Sequence, residues 1–193
     1  GTYQGTFNFP QLSAAGTWTI LVVLQDALGN RQDLHTDDLV ALGFPGTLSN
    51  TATTDDHAAP TPTGFSFTPA TIDTGAAGAT VTVTAHVTDA QTGVANVYVQ
   101  FRHSSGESLG VNLARTTGTA ADGTYEGTFA FPQLSAAGIW TLLVVLQDVL
   151  GNRGDIHTDD LVALGFPGTL SNTATTDDHA APSLAGFSFT PTT

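Results

Sequence analysis

The chain has 193 residues, with four Arg, no Lys, two Glu, fifteen Asp and no Cys, and a formal net charge of −13. Such a surface argues against nucleic acid and anionic membrane as partners and favours cations, and it rules out disulfides and any Lys-dependent isopeptide crosslink. A 40% hydrophobic content with 11 Phe excludes a disordered chain.

Residues 1–71 align with 123–193 without a gap, at an offset of 122, and 60 of the 71 positions are identical. This reads as a tandem array cut out of phase, in which the repeat is the fold unit. Residues 1–59 are then the C-terminal part of a first repeat plus linker. Residues 60–181 are one complete repeat plus linker, and 182–193 the first strand of a following repeat.

In chain order, 1–31 predicts two late strands, repeated at 123–153. Tyr125, Phe129 and Phe131 give a mostly alternating run that stops at Pro132, and Trp140, Leu142, Val144 and Leu146 share one face at period 2. Gly5 and Gly127 sit mid-strand, where glycine marks a bulge or a close backbone approach. QDVLGN supplies turn chemistry. Residues 32–36 continue as a short strand. The run 36–45 predicts a short helix with Thr36 as N-cap, Asp37 and Asp38 at the positive end of the dipole, and Gly43 and Pro45 as stops. The same device recurs at 158–167. A short strand is expected around 47–53 and a linker around 54–63.

The complete repeat opens with an edge strand at 64–69, because Pro69 cannot donate to a central ladder. Residues 79–88 place Val81, Val83, Ala85 and Val87 inward. After the turn Asp89–Gly93, residues 94–102 place Ala95, Val97, Val99 and Phe101 inward. Leu109, Val111 and Leu113 form the next strand, and 116–123 reads as a loop. Leu143 and Val145 point opposite to Trp140, and Leu161 and Leu164, three apart on the helix, are expected to cover them. Seven or eight short strands with a turn every 8–12 residues predict an all-β fold, an antiparallel β-sandwich with Greek-key connections and one short helix per repeat.

The order VTVTAHVTDAQTGVANV, DGTYEGTF, GIWTLLVVLQDVLGN resembles the bacterial immunoglobulin-like domains of long tandem arrays, over essentially the whole repeat. The resemblance implies tandem immunoglobulin-like sandwiches in a secreted bacterial surface, adhesin or filament protein. The helix DDLVALGFP departs from a minimal seven-strand sandwich.

No residue set suggests catalysis. There is no G-x-S-x-G elbow and no phosphate loop, and the two Glu, Glu107 and Glu126, make no catalytic carboxylate motif. His35, His57, His86, His103, His157 and His179 show no H-x-x-H spacing, which favours solvated surface roles. Calcium is the one cofactor the pattern allows. In an immunoglobulin-like sandwich the loop after the second strand, the loop before the last and the incoming linker share a pole. Those segments carry Asp89, Asp148 and Asn152, and Asp55 and Asp56, which together form a candidate oxygen cage. The same residues are also ordinary turn formers.

The expected function is a non-catalytic stalk, spacer or polymer subunit, extracellular or on the cell surface, whose partners are further copies of itself in tandem or head-to-tail along a fibre. Nucleic acid and membrane insertion are not expected. An adhesin or carbohydrate-binding module, or an accessory domain of a secreted enzyme, is the alternative. A strand-completion segment is expected at Gly186, Phe187, Ser188, Phe189, Thr190 and Pro191, pairing as the first strand of a following sandwich.

Overall fold

The computed structural model describes residues 1–178 and 180–190. His179 and Pro191 lie outside the described residues. Strand accounts for 46% of the chain and helix for 6%, which makes it an all-β protein.

The first region holds β1 (Gly16–Thr19), β2 (Val22–Gln25), β3 (Arg31–Leu34), α1 (Thr36–Ala41) and β4 (Thr47–Asn50). Two two-stranded sheets result, β1 with β4 and β2 with β3. Residues 1–9, expected as a strand, form none.

The second region begins after the linker and forms two packed sheets. In order come β5 (Thr61–Thr68), β6 (Thr71–Ile72), β7 (Ala79–Thr88), β8 (Val94–His103), β9 (Ser108–Asn112) and β10 (Ala114–Gly118). They are followed by β11 (Asp122–Phe131), β12 (Gly138–Asp148), β13 (Arg153–His157), α2 (Thr158–Ala163) and β14 (Thr169–Asn172). One sheet runs β10-β11-β7-β5, and the other runs β6-β14-β12-β8-β9 with β13 also beside β12. Apart from the parallel β14–β6 contact, every pairing is antiparallel.

The two sheets bury one core. Phe101 on β8 meets Phe67 on β5 and Phe129 on β11 across the sheet gap, edge-on at centroid distances of 5.6 and 4.9 Å. Such T-shaped contacts suit the ring quadrupole. Val81, Val83, Val97, Val99, Trp140, Leu142 and Val144 are all in this core, as their period-2 pattern predicts. Gly127 lies where a Cβ would sit 2.5 Å from Leu113 Cδ2, so the mid-strand glycine does mark a close approach.

Four local expectations are corrected. The 116–123 loop begins as strand: the chain leaves β9 in one sheet and joins β11 in the other as β10. Ala95 faces solvent, because a bulge opposite Gln147 and Asp148 shifts the register and buries Val94 instead. The helices are capped at His35 and His157, whose amides donate to Asp38 and Asp160 at 2.9 Å. Thr36 and Thr158 instead donate to Gly46 and Gly168 carbonyls at 3.1 Å. Finally, Leu161 enters the main core while Leu164 is exposed, so the pair does not cover Leu143 and Val145 together.

Candidate functional site: the junction between repeats

The linker 51–60 is tied down at both ends by adjacent aspartates with opposite assignments. Asp56 N donates to Leu12 O at 3.1 Å, which fixes the backbone. Asp55 then turns back to the region it leaves. Its Oδ2 accepts from Ala15 N at 2.9 Å and lies 2.9 Å from His57 Nε2. The Ala15 amide holds the Asp55 carboxyl below the ordinary aspartate range.

Asp56 reaches forward into the complete repeat. Its Oδ2 accepts from Thr92 Oγ1 at 2.8 Å and Thr92 N at 3.2 Å, and its Oδ1 accepts from Ala58 N at 2.9 Å. The Ala58 amide, then the Thr92 hydroxyl, lower its pKa. Asn152 closes the buckle, donating through Nδ2 to Asp56 O at 3.0 Å and to Asp148 Oδ2 at 2.7 Å.

Local turn chemistry positions the other two carboxylates. Asp89 Oδ1 accepts from the amides of Gln91, Thr92 and Gly93 at 3.1, 3.1 and 2.8 Å. Asp148 Oδ1 accepts from Asn152 N at 2.8 Å. The β7–β8 turn, the β12–β13 turn and the linker thus bring Asp56, Asp89 and Asp148 together, all buried, each with a ligand atom within 4.8 Å of the others. A hard cation with oxygen ligands is the group this donor set can hold. Thr92 Oγ1 lies 2.8 Å from Asp56 Oδ2 and 3.0 Å from Asp148 Oδ2, and a hydroxyl has one proton for the two.

Of the five residues grouped from sequence, Asp56, Asp89, Asp148 and Asn152 meet. Asp55 does not join them: its side chain is held by Ala15 N on the far side of the linker. Sequence reading missed Thr92, which touches both Asp56 and Asp148. Its only signal was a threonine inside the D-A-Q-T-G turn, a position that many residues can fill.

The second linker repeats the backward half of this arrangement. Asp177 Oδ2 accepts from Ala137 N at 2.8 Å, Asp178 N donates to Leu134 O at 3.0 Å, and Asp178 Oδ1 accepts from Ala180 N at 2.9 Å. Asp178, the counterpart of Asp56, is exposed. Residues 186–190 form no strand among the described residues, and Phe187 and Phe189 face solvent.

Beside the junction lies an open apolar cleft of about 560 Å³, lined by Phe7, Phe9, Trp18 and Leu48 from the first region and by Val149 and Leu150 from the second. No family model matches the chain, and no curated protein matches it.

Proposed function

We propose that the chain is a non-catalytic structural repeat of an extracellular array, built of tandem immunoglobulin-like sandwiches in a secreted bacterial surface or filament protein. The observation that carries this reading is the linker, held by Asp55 to the repeat it leaves and by Asp56 to the repeat it enters. A spacer tied at both ends passes orientation from one repeat to the next. Repeat number then sets the length of a stiff rod. Its partners are further copies of the same repeat along one continuous chain. Electron microscopy of native material tests this: unbranched rods are expected, and isolated compact particles would reject it.

Calcium would act at the same place. Three buried carboxylates lie within 4.8 Å, two of them, Asp56 and Asp148, share one hydroxyl proton, and a divalent cation would offset their repulsion. Titration with calcium should raise the melting temperature of the full chain, and Asp89→Asn should abolish the rise. An unchanged melting temperature removes calcium from the reading and leaves the hydrogen-bonded buckle.

A further inference from the structure

Residues 1–50 carry an apolar face whose counterpart at 123–172 is already covered within the same chain. The cover is the segment 61–118, which holds β5 to β10. Among core-facing positions the two faces differ only at Ile20/Leu142 and Leu34/Ile156, swaps between aliphatic side chains of equal size. The other five differences fall at residues whose counterparts Glu126, Ala130, Ile139, Val149 and Gly154 lie outside that core.

Around Trp18 and Asn50 the bare face also keeps its geometry, although residues 1–9 form no strand. Phe9 meets Trp18 edge-on at 5.2 Å and 86°, and Phe131 meets Trp140 at 5.1 Å and 85°. Trp18 Nε1 donates to Ala14 O at 2.9 Å, as Trp140 Nε1 does to Ala136 O at 3.0 Å. Asn50 Nδ2 donates to Ser13 O and Ala14 O, the bonds that Asn172 makes to Ser135 O and Ala136 O. Asn172 Nδ2 further donates to Thr74 Oγ1, on the covering segment, and Asn50 presents the same amide at the bare face.

We propose that the apolar face of residues 1–50 is an acceptor for a second copy of the segment 61–118, seated in the register that this segment adopts on 123–172. The described residues hold two acceptors and one cover. The cover closes on 123–172 because only residues 119–121 separate β10 from β11, which makes closure there entropically cheap. The tail 186–190 cannot substitute. Its counterpart β5 pairs only with β7, and neither 1–50 nor the tail carries a β7. The inference rests on the tandem reading only for the natural source of the second cover.

The test extends the full chain with an added copy of residues 60–122 ahead of Gly1. Trp140→Phe leaves Trp18 as sole reporter, and Trp18→Phe does the converse. Trp18 emission should shift to the blue, its acrylamide quenching should fall to the level of Trp140, and amides 1–9 should gain protection from hydrogen exchange. Aspartate at the added copy's equivalent of Phe101 should cancel all three. Trp18 still quenched, with 60–172 still protected, overturns the proposal. So does a dimer of the unextended chain in which Trp18 is shielded, because the occupant is then another 1–50 face. A second measurement needs no extension. In the chain carrying Trp140→Asp and Leu146→Asp, the freed cover should move to residues 1–50, of the same or another molecule, and shield Trp18. Loss of protection throughout 61–118 with Trp18 exposed overturns the proposal too. These outcomes do not bear on the rod, which depends on the linker, and the microscopy does not bear on the acceptor.

Discussion

Phe7 and Phe129 occupy the same place in nearly the same sequence, yet Phe7 is 89% exposed and Phe129 is 1% exposed. Trp18 and Trp140 repeat the contrast at 38% and 0%. The elements divide in an instructive way. The helix, its stop at Gly43 or Gly165 with positive φ, and the Asp-centred turn are the same in both regions. Each is closed by contacts a few residues apart, which need nothing from elsewhere. The 122–131 stretch is a ten-residue strand between β10 and β7, and its counterpart 1–9 is no strand. A strand owes its ladder to partners, and those partners lie on 61–118.

Truncation of the paired aromatics breaks the comparison most sharply. Phe129→Ala should cost about 3–5 kcal/mol in denaturant unfolding, the usual range for emptying an aromatic site in a core, and Phe7→Ala should change stability by less than about 0.5 kcal/mol. Equal losses would show that the first region has its own closed core. Next in size is the glycine pair. Gly127→Ala meets Leu113 and should cost about 1–3 kcal/mol by overpacking. Gly5→Ala, with nothing within 4 Å of its Cβ, should be silent in the same assay.

The junction variants sharpen the comparison without unfolding either region. Asp56→Ala or Thr92→Val should broaden the angle between the two regions in small-angle scattering. Asp55→Ala should free the linker from the first region and leave the Thr92 contacts intact, which nuclear magnetic resonance of the Thr92 amide can follow. An Asp56 variant with an unchanged scattering profile would remove the buckle from the argument.

The smallest expected effect is on acidification. Asp55 and Asp56 both have folded pKa values below the ordinary 3.8, through their bonds to Ala15 N and to Ala58 N and Thr92. Their contribution is therefore fully present above that value and is lost only as pH falls below it, through the lowered folded values. The inter-region angle should stay constant from neutral pH down to about 4 and widen below. Widening already between pH 5 and 7 would overturn the assignment to these two aspartates.

Periodicity alone was enough to place the core residues of the complete repeat, from Val81 to Val144, because inward and outward positions alternate whatever the partner strand is. The immunoglobulin-like resemblance, not periodicity, grouped Asp55 and Asp56 with Asp89, Asp148 and Asn152, and four of the five meet because each turn that presents a carboxylate is closed by its own short-range bonds. Periodicity could not find the bulge that exchanges Ala95 for Val94, the crossing of β10 into the second sheet, or Leu164's exposure, because each depends on how distant strands register. Nor could it separate Asp55 from Asp56. Adjacent side chains on an extended linker point opposite ways, and only the position of the two bodies decides which one faces Thr92. The exposure of Phe7 and the burial of Phe129 lie furthest beyond the sequence. The two copies read alike, and burial is a property of what stands opposite, which among the described residues is the segment 61–118 seated on the second copy.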